Sequence, residues 1–246
     1  MAKPIPDYAK LDAGEIIATA ERLARRVAER FPGFGLAKVA ERLVEIARRT
    51  EGEALRLATP NVPIRIAVGA VLLVGALAFA FLIAALIPGK QVSGEVIPLV
   101  QAAESSMNIA VLVGLGVLAL TRLESRWKRG HALASLHALR SLAHVIDMHQ
   151  LTKDPNAERL AEPTASSPKR SLTPAQLERY LDYCSEMLAL IGKLSALYAQ
   201  SHGDQLVGQS VNEIEVLTTN LARKIWQKIA IIAERPSHRD KAPAGR

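Results

Sequence analysis

Among 246 residues there is a single cysteine, Cys184, and aromatic side chains make up only 4%. A lone thiol cannot close an internal disulfide, so the fold needs no oxidising compartment. Cys184 falls on an apolar helical stripe and reads as a buried structural thiol. With so few aromatics, any core is built from aliphatic side chains and alanine. Alternating β-branched runs are almost missing, which removes the strand signal and points to an all-α chain.

Chemical signatures are missing as well. There is no Walker loop, dinucleotide fingerprint, Gly-x-Ser-x-Gly, kinase signature, His-Glu-x-x-His or paired Glu-x-x-His pattern. Gly114-x-Gly116 lies within an apolar run, where a phosphate loop does not fit. No cofactor is therefore expected. No signal peptide is expected either, because the first long apolar segment follows more than sixty residues of charged sequence. The myristoylation and prenylation patterns are absent.

What the sequence does have is a long stretch without charge. Ile66 to Ile87 is 22 residues with no charged or strongly polar side chain. As a helix it would be about 33 Å long, enough for a hydrocarbon core of about 30 Å. A polar stripe, expected of a surface helix, is lacking on every face. Pro88-Gly89 ends the run. A second run, Ile97 to Thr121, is interrupted by Gln101, Glu104, Ser105, Ser106 and Asn108. It is read as a returning span because Arg122, Arg126, Lys128 and Arg129 follow directly. Residues 1–65 hold 12 Lys and Arg, residues 122–246 hold 18, and only Lys90 lies between. The positive-inside rule places both ends in the cytosol and a short loop near 88–97 outside.

These observations predict an all-α membrane protein, a two-pass transmembrane hairpin with cytosolic helices on either side. The divisions expected are an N-terminal helical hairpin (1–62), the transmembrane hairpin (63–122, spans about 64–88 and 97–121), a cytosolic three-helix bundle (123–234) and a disordered basic tail (235–246). In the first part, Ile16, Ala20, Leu23 and Val27 share one helical face behind an Asp12 cap. After Pro32-Gly33, Leu36, Val39, Leu43 and Ile46 share another. In the last part the predicted helices are 131–151, 174–201 and 206–234, with a flexible loop at 152–172. Gly130 is expected to loosen the junction with the span, and Trp127 to sit at the membrane boundary. Thr173-Pro174-Ala175-Gln176 is a capping box with proline in the first turn. The helix after it has an apolar face broad enough to need neighbours on two sides.

Four sets of residues are candidates for function. Ala76, Ala80 and Ala84 on the first span, and Ala102, Ser106, Ala110 and Gly114 on the second, have the small-residue spacing that lets helices pair in lipid. Gln101, Glu104 and Asn108 form an intramembrane polar patch, in which Glu104 either reaches back to the outer surface or lines an ion path. His137, His144 and Asp147 share a helical face with Arg140. They could hold a metal with Asp182, Glu186 or Glu213, or tie helices together as a polar network. Arg22, Arg25, Arg26 and Arg30 suit either a headgroup-binding face or a solvated one. The basic run from Arg223 to Lys241 is read as a solvated tail, not a nucleic-acid site.

The expected partners are the lipid bilayer and, through the long apolar stripes, a second copy or another protein. The function expected is a non-enzymatic anchor, assembly or regulatory protein, with an Ala/Arg-rich composition suggesting a bacterial inner membrane. An oligomeric pore or transport-related effector is the alternative, and a metal-dependent enzyme using His144 and Asp147 is the third reading. In plan, two spans followed by a helical cytosolic part, the chain resembles the bacterial two-helix membrane effectors of conflict systems.

Overall fold

The structure is a computed structural model that describes residues 10–86, 96–155, 164–167, 171–201 and 203–234, without the side-chain surroundings of Leu82, Ala85, Leu86, 96–99 and Ala102. The expected external loop, much of the 152–172 connector and the basic tail lie wholly or largely outside the described residues. The described chain is all-helical, with no strand. Its elements are α1 (Ala13–Arg30), α2 (Gly35–Ala58), α3 (Val62–Leu86), α4 (Val96–Leu151), α5 (Pro174–Ser201) and α6 (Gln205–Ala233). They fall into two compact units: Met1–Ala58 with Ala132–Arg246, and Thr59–His131.

The first unit has one core. Asp12 starts α1: its carboxylate accepts the backbone N–H groups of Gly14 (2.8 Å) and Glu15 (3.3 Å), satisfying donors that have no partner inside a helix. Ile16, Ala20, Leu23 and Val27 then face inward, as their spacing predicts. Gly33, at φ 78°, makes the turn that a residue with a Cβ would resist. Beside it Phe31 is buried, with edge-on contacts to Tyr180 (5.4 Å) and Tyr183 (6.2 Å) of α5. Helix α2 buries Leu36, Val39, Leu43 and Ile46, and continues the stripe through Thr50, Ala54 and Leu57. At its first residue, a Cβ on Gly35 would lie 2.7 Å from Nε2 of His149, so glycine permits the close approach to α4.

The capping box at α5 is formed in both directions. Thr173 N–H donates to Gln176 Oε1 (2.9 Å), and Gln176 N–H donates to Thr173 Oγ1 (3.3 Å). The broad face of α5 is divided between α6 on one side and α1 and α2 on the other. Leu136, Leu139, Ala143 and Ile146 of α4 complete the cluster. The N-terminal hairpin and the C-terminal helices, which are separate regions in the sequence, thus share one core. Cys184 is buried in it, and burial pushes its thiol up to about 12, where it is an inert side chain.

The second unit is built differently. Helix α3 and the early part of α4 are long and apolar enough to cross a membrane. Asn61 N–H donates to Glu124 Oε1 (3.0 Å), Lys128 Nζ donates to the Thr59 carbonyl (2.8 Å), and Lys128 and Glu124 form an ion pair (3.1 Å). Higher up, Val71 approaches Gly116 and Gly75 approaches Val113. As numbers rise along α3 they fall along α4, so the two helices are antiparallel. Gly130, expected to loosen the junction, lies within α4, one helix of 56 residues. A single glycine costs a helix only about 1 kcal/mol relative to alanine. Across it, the Trp127 and His131 rings meet at 4.2 Å, tilted by 44°, and His131 Nδ1 lies 2.9 Å from the Trp127 carbonyl.

Candidate functional site

Three features of the first unit bring polar or accessible groups together. One is a network under α2. Glu53 Oε1 accepts from Arg49 Nε (2.7 Å), while Oε2 accepts from Tyr198 Oη (2.8 Å) and from the Ser135 hydroxyl. Tyr198 Oη also lies 3.4 Å from the buried Thr50 hydroxyl. A cavity of about 80 Å³ opens beside these side chains. Partial burial acts to raise the Glu53 pKa, but hydrogen bonds from Ser135, Arg49 and Tyr198 outweigh it and hold the carboxyl below its ordinary value. Burial, with smaller contributions from its neighbours, pushes the Tyr198 phenol up to about 12. The carboxylate is therefore a weak base facing protonated donors. Through these bonds it joins α2, α4 and α5.

The second network closes the end of α4. Lys228 of α6 donates to the Gln150 carbonyl (2.8 Å) and to Gln150 Oε1 (2.5 Å), and Gln150 Nε2 donates to Asp147 Oδ1 (2.6 Å). A lysine here satisfies a helix C-terminal carbonyl and suits the helix dipole. Burial lowers its pKa, against the attraction of Asp154 and Asp147.

The third is an open groove of about 900 Å³ along α5 and α6. Its floor is made of small side chains, including Ala189, Gly192 and Ala196 of α5 and Thr219 and Ala222 of α6, and exposed Trp226 rises at one end.

The chain matches no family model, no curated protein and no solved structure. The site residues expected from the sequence are therefore placed by geometry alone. His137 and His144 are exposed, and Asp147 is engaged by Gln150. Each neighbouring carboxylate that could have joined them is held by an arginine: Glu213 by Arg140 (2.5 Å), Glu186 by Arg26 (2.5 Å) and Asp182 by Arg179 (2.8 Å). Among the described residues, no three His, Cys, Asp or Glu side chains gather as metal ligands would. Arg26 of the α1 cluster thus points to α5, where it also lies over the Tyr183 ring (5.6 Å).

Gln101, Glu104 and Asn108 are exposed on one face of α4. Of the small-residue stripes, Ala76, Ala80, Ala84 and Ala110 are exposed and Ser106 is half-buried; the side-chain surroundings of Ala102 are outside the described residues. A Cβ on Gly114 would meet nothing within 4 Å, whereas one on Gly75 would meet Val113 at 2.3 Å and one on Gly116 would meet Val71 at 3.2 Å. Among the glycines of the two helices, Gly75 and Gly116 therefore lie against the facing helix and Gly114 does not.

The Glu53 network and the groove were not found from the sequence. A tyrosine on the apolar stripe of α5 was the available signal for the first, since a buried phenol requires a partner. Glu53 itself looks like any other acidic residue on the polar side of α2. The groove had no sequence signal beyond the run of small residues on α5.

Proposed function

We propose that this chain is an integral membrane anchor, assembly or regulatory protein without enzymatic activity, whose helices α3 and early α4 cross the bilayer as a hairpin and whose five-helix unit works in the cytosol. One observation carries the reading. Apart from Gly75, no residue of α3 or of α4 up to His131 whose surroundings are described is buried. Phe81 is 78% exposed, Leu112 70% and Ile66 67%. A soluble protein does not leave that much contiguous aliphatic surface to water; in hydrocarbon it costs nothing. The flanking charges agree. Arg65 precedes α3's apolar stretch, Arg122, Arg126, Lys128 and Arg129 follow that of α4, and no basic residue lies on either stretch. The polar clamp of Thr59 and Asn61 with Glu124 and Lys128 suits a cytosolic boundary, where backbone groups at the start of α3 need partners.

The test is alkaline extraction of membranes from expressing cells, with thiol labelling of single cysteines placed at Lys10 and Lys224 in separate variants. The protein should stay with the lipid, and both positions should react from the cytosolic side alone. Release into the supernatant, or labelling from opposite sides, would sink the reading.

A second reading, an oligomeric pore or transport-related effector, is favoured by a separate fact: Gln101, Glu104 and Asn108 share a face that the chain itself leaves open. Ion flux through liposomes that falls with Glu104→Ala would support it, and the absence of flux above empty liposomes would discard it.

A further inference from the structure

We infer that the groove along α5 and α6 is a homodimer interface, in which a second copy of the chain packs α6 antiparallel to α6 about a two-fold axis at Thr219. This rests on the assembly role proposed above and names its partner. Three observations on one face of α6 support it.

The first is charge. Glu215, Thr219 and Arg223 are successive positions at a spacing of four, so they stack on one face of the helix. Both charged side chains are exposed, and neither has an ion-pair partner among the described residues. A two-fold axis through Thr219 exchanges them: Glu215 of each copy meets Arg223 of the other, twice per dimer. Such self-complementarity is what an isologous interface requires. A foreign partner would need to supply the same pattern by coincidence.

The second is shape. Thr219 and Ala222 are small, as are Ala189, Gly192 and Ala196 of α5, beside which Leu188 and Lys193 also line the groove. A Cβ on Gly192 would sit 3.4 Å from Thr218 Oγ1, which fixes the level of α5 against α6: residue 192 lies beside residue 218. The small residues leave room for two such faces to approach, and the exposed Lys193 of α5 borders the groove at this level.

The third is the exposed tryptophan. Trp226 is 58% exposed and lies seven residues from Thr219, about 10 Å along the helix. The two-fold operation carries the second copy's Trp226 the same distance to the other side of Thr219. That is near residue 212 on α6, and hence beside residues 196–200 on α5. There the groove is walled by Ala196 and by Leu11, whose N–H is held by Gln200 Oε1 at 3.0 Å. Each Trp226 would fill the far end of the other copy's groove, a buried aromatic of the kind that contributes strongly to interface energies.

The full-length chain in membranes provides the test. Wild type, with its one buried thiol, should give no disulfide-linked dimer. Thr219→Cys, which places two thiols at the axis, should crosslink at least several-fold more than Glu41→Cys on the exposed face of α2. Size-exclusion with light scattering in detergent should give a dimer for wild type. Glu215→Arg and Arg223→Glu should each reduce the dimer at least tenfold, and the double variant should restore it. Because both positions are exposed, each variant should keep the wild-type helical circular dichroism. Thr219→Cys crosslinking no better than Glu41→Cys would overturn the interface. So would a double variant as monomeric as the singles, or a single copy bound to a different polypeptide. A monomer that still resists alkaline extraction would remove this inference alone, whereas loss from the membrane fraction would remove the anchor reading.

Discussion

Thr59–His131 and the remainder of the chain use the same aliphatic residues in opposite ways. In the five-helix unit Leu23, Leu36, Leu139, Leu188 and Ile191 are all at most 1% exposed. On α3 and early α4, Leu73, Leu77, Leu112 and Leu115 are all 58% exposed or more. Leucine count does not distinguish the two regions. Periodicity does: on α1 and α2 the apolar positions recur every three or four residues against a charged background, and on α3 they occupy every face. A stripe faces a protein core; an apolar cylinder faces a lipid solvent.

The largest effect should come from placing a charge on each side of this comparison. An arginine at the centre of a membrane helix costs about 2.5–3.5 kcal/mol on insertion scales. Leu77→Arg should therefore shift much of the protein out of the alkali-resistant membrane fraction. Leu188→Arg, placing an unpaired charge in the five-helix core, should instead leave the chain in the membrane and open that unit to protease. If both variants failed in the same assay, the two regions would not be physically distinct.

Truncation sharpens the contrast with a smaller change. Leu188→Ala removes core contacts and should destabilise by about 2–5 kcal/mol, moving a urea midpoint by roughly 1–2 M. Leu112→Ala, equally apolar but uncovered by protein, should leave the midpoint where it is. A comparable shift for Leu112→Ala would mean that α4 buries this face against something.

The core unit also contains a partly buried polar element, the Glu53 network. Tyr198→Phe leaves Glu53 without one donor, and should cost about 1–3 kcal/mol. Glu53→Gln adds a pH signature. The Glu53 pKa is lowered in the folded state from an ordinary 4.5. Its stabilisation is therefore fully present above about 4.5 and is lost as pH falls further, through the depressed folded value. The stability gap between wild type and Glu53→Gln, followed by urea titration, should be constant from pH 7 to pH 5 and should shrink toward pH 3. A gap of unchanged size at pH 3 would remove the carboxylate's charge from the account.

How much of this was legible in the sequence depends on whether the signal is local. Helix starts were, because a cap is written in three or four residues: Asp12 and the Thr173–Gln176 box are where their side chains placed them. So was the uncovered character of α3, since no arrangement of neighbours follows from an apolar cylinder. The union of the N-terminal hairpin with α5 was not. The breadth of the α5 face announced neighbours on two sides, yet nothing in Ile16, Leu23 or Leu36 says which distant helix they meet. For the same reason Asp182, Glu186 and Glu213 were read as candidate ligands for the histidine face, when each is paired to an arginine on the same or another helix. The α3–α4 contact illustrates a finer limit. Spacing singled out Ala76 and Gly114 among others, and among the glycines it is Gly75 and Gly116 that meet the facing helix, because several small residues compete on both helices and spacing does not set rotation.

The smallest expected effect concerns the feature read most directly. Thr173→Ala removes the acceptor for Gln176 N–H, and with it one half of the reciprocal pair, while Pro174 still favours the first helical turn. Removing such a cap costs about 0.5–2 kcal/mol. The lower part of that range is expected here, since Thr173 is exposed and water replaces the lost acceptor. Thr173→Ser, keeping the hydroxyl, should restore wild-type stability, and Thr173→Val, keeping the shape without it, should not. If Thr173→Val matched wild type in urea, burial of the broad α5 face would alone fix where that helix begins, and the cap would mark its start without stabilising it.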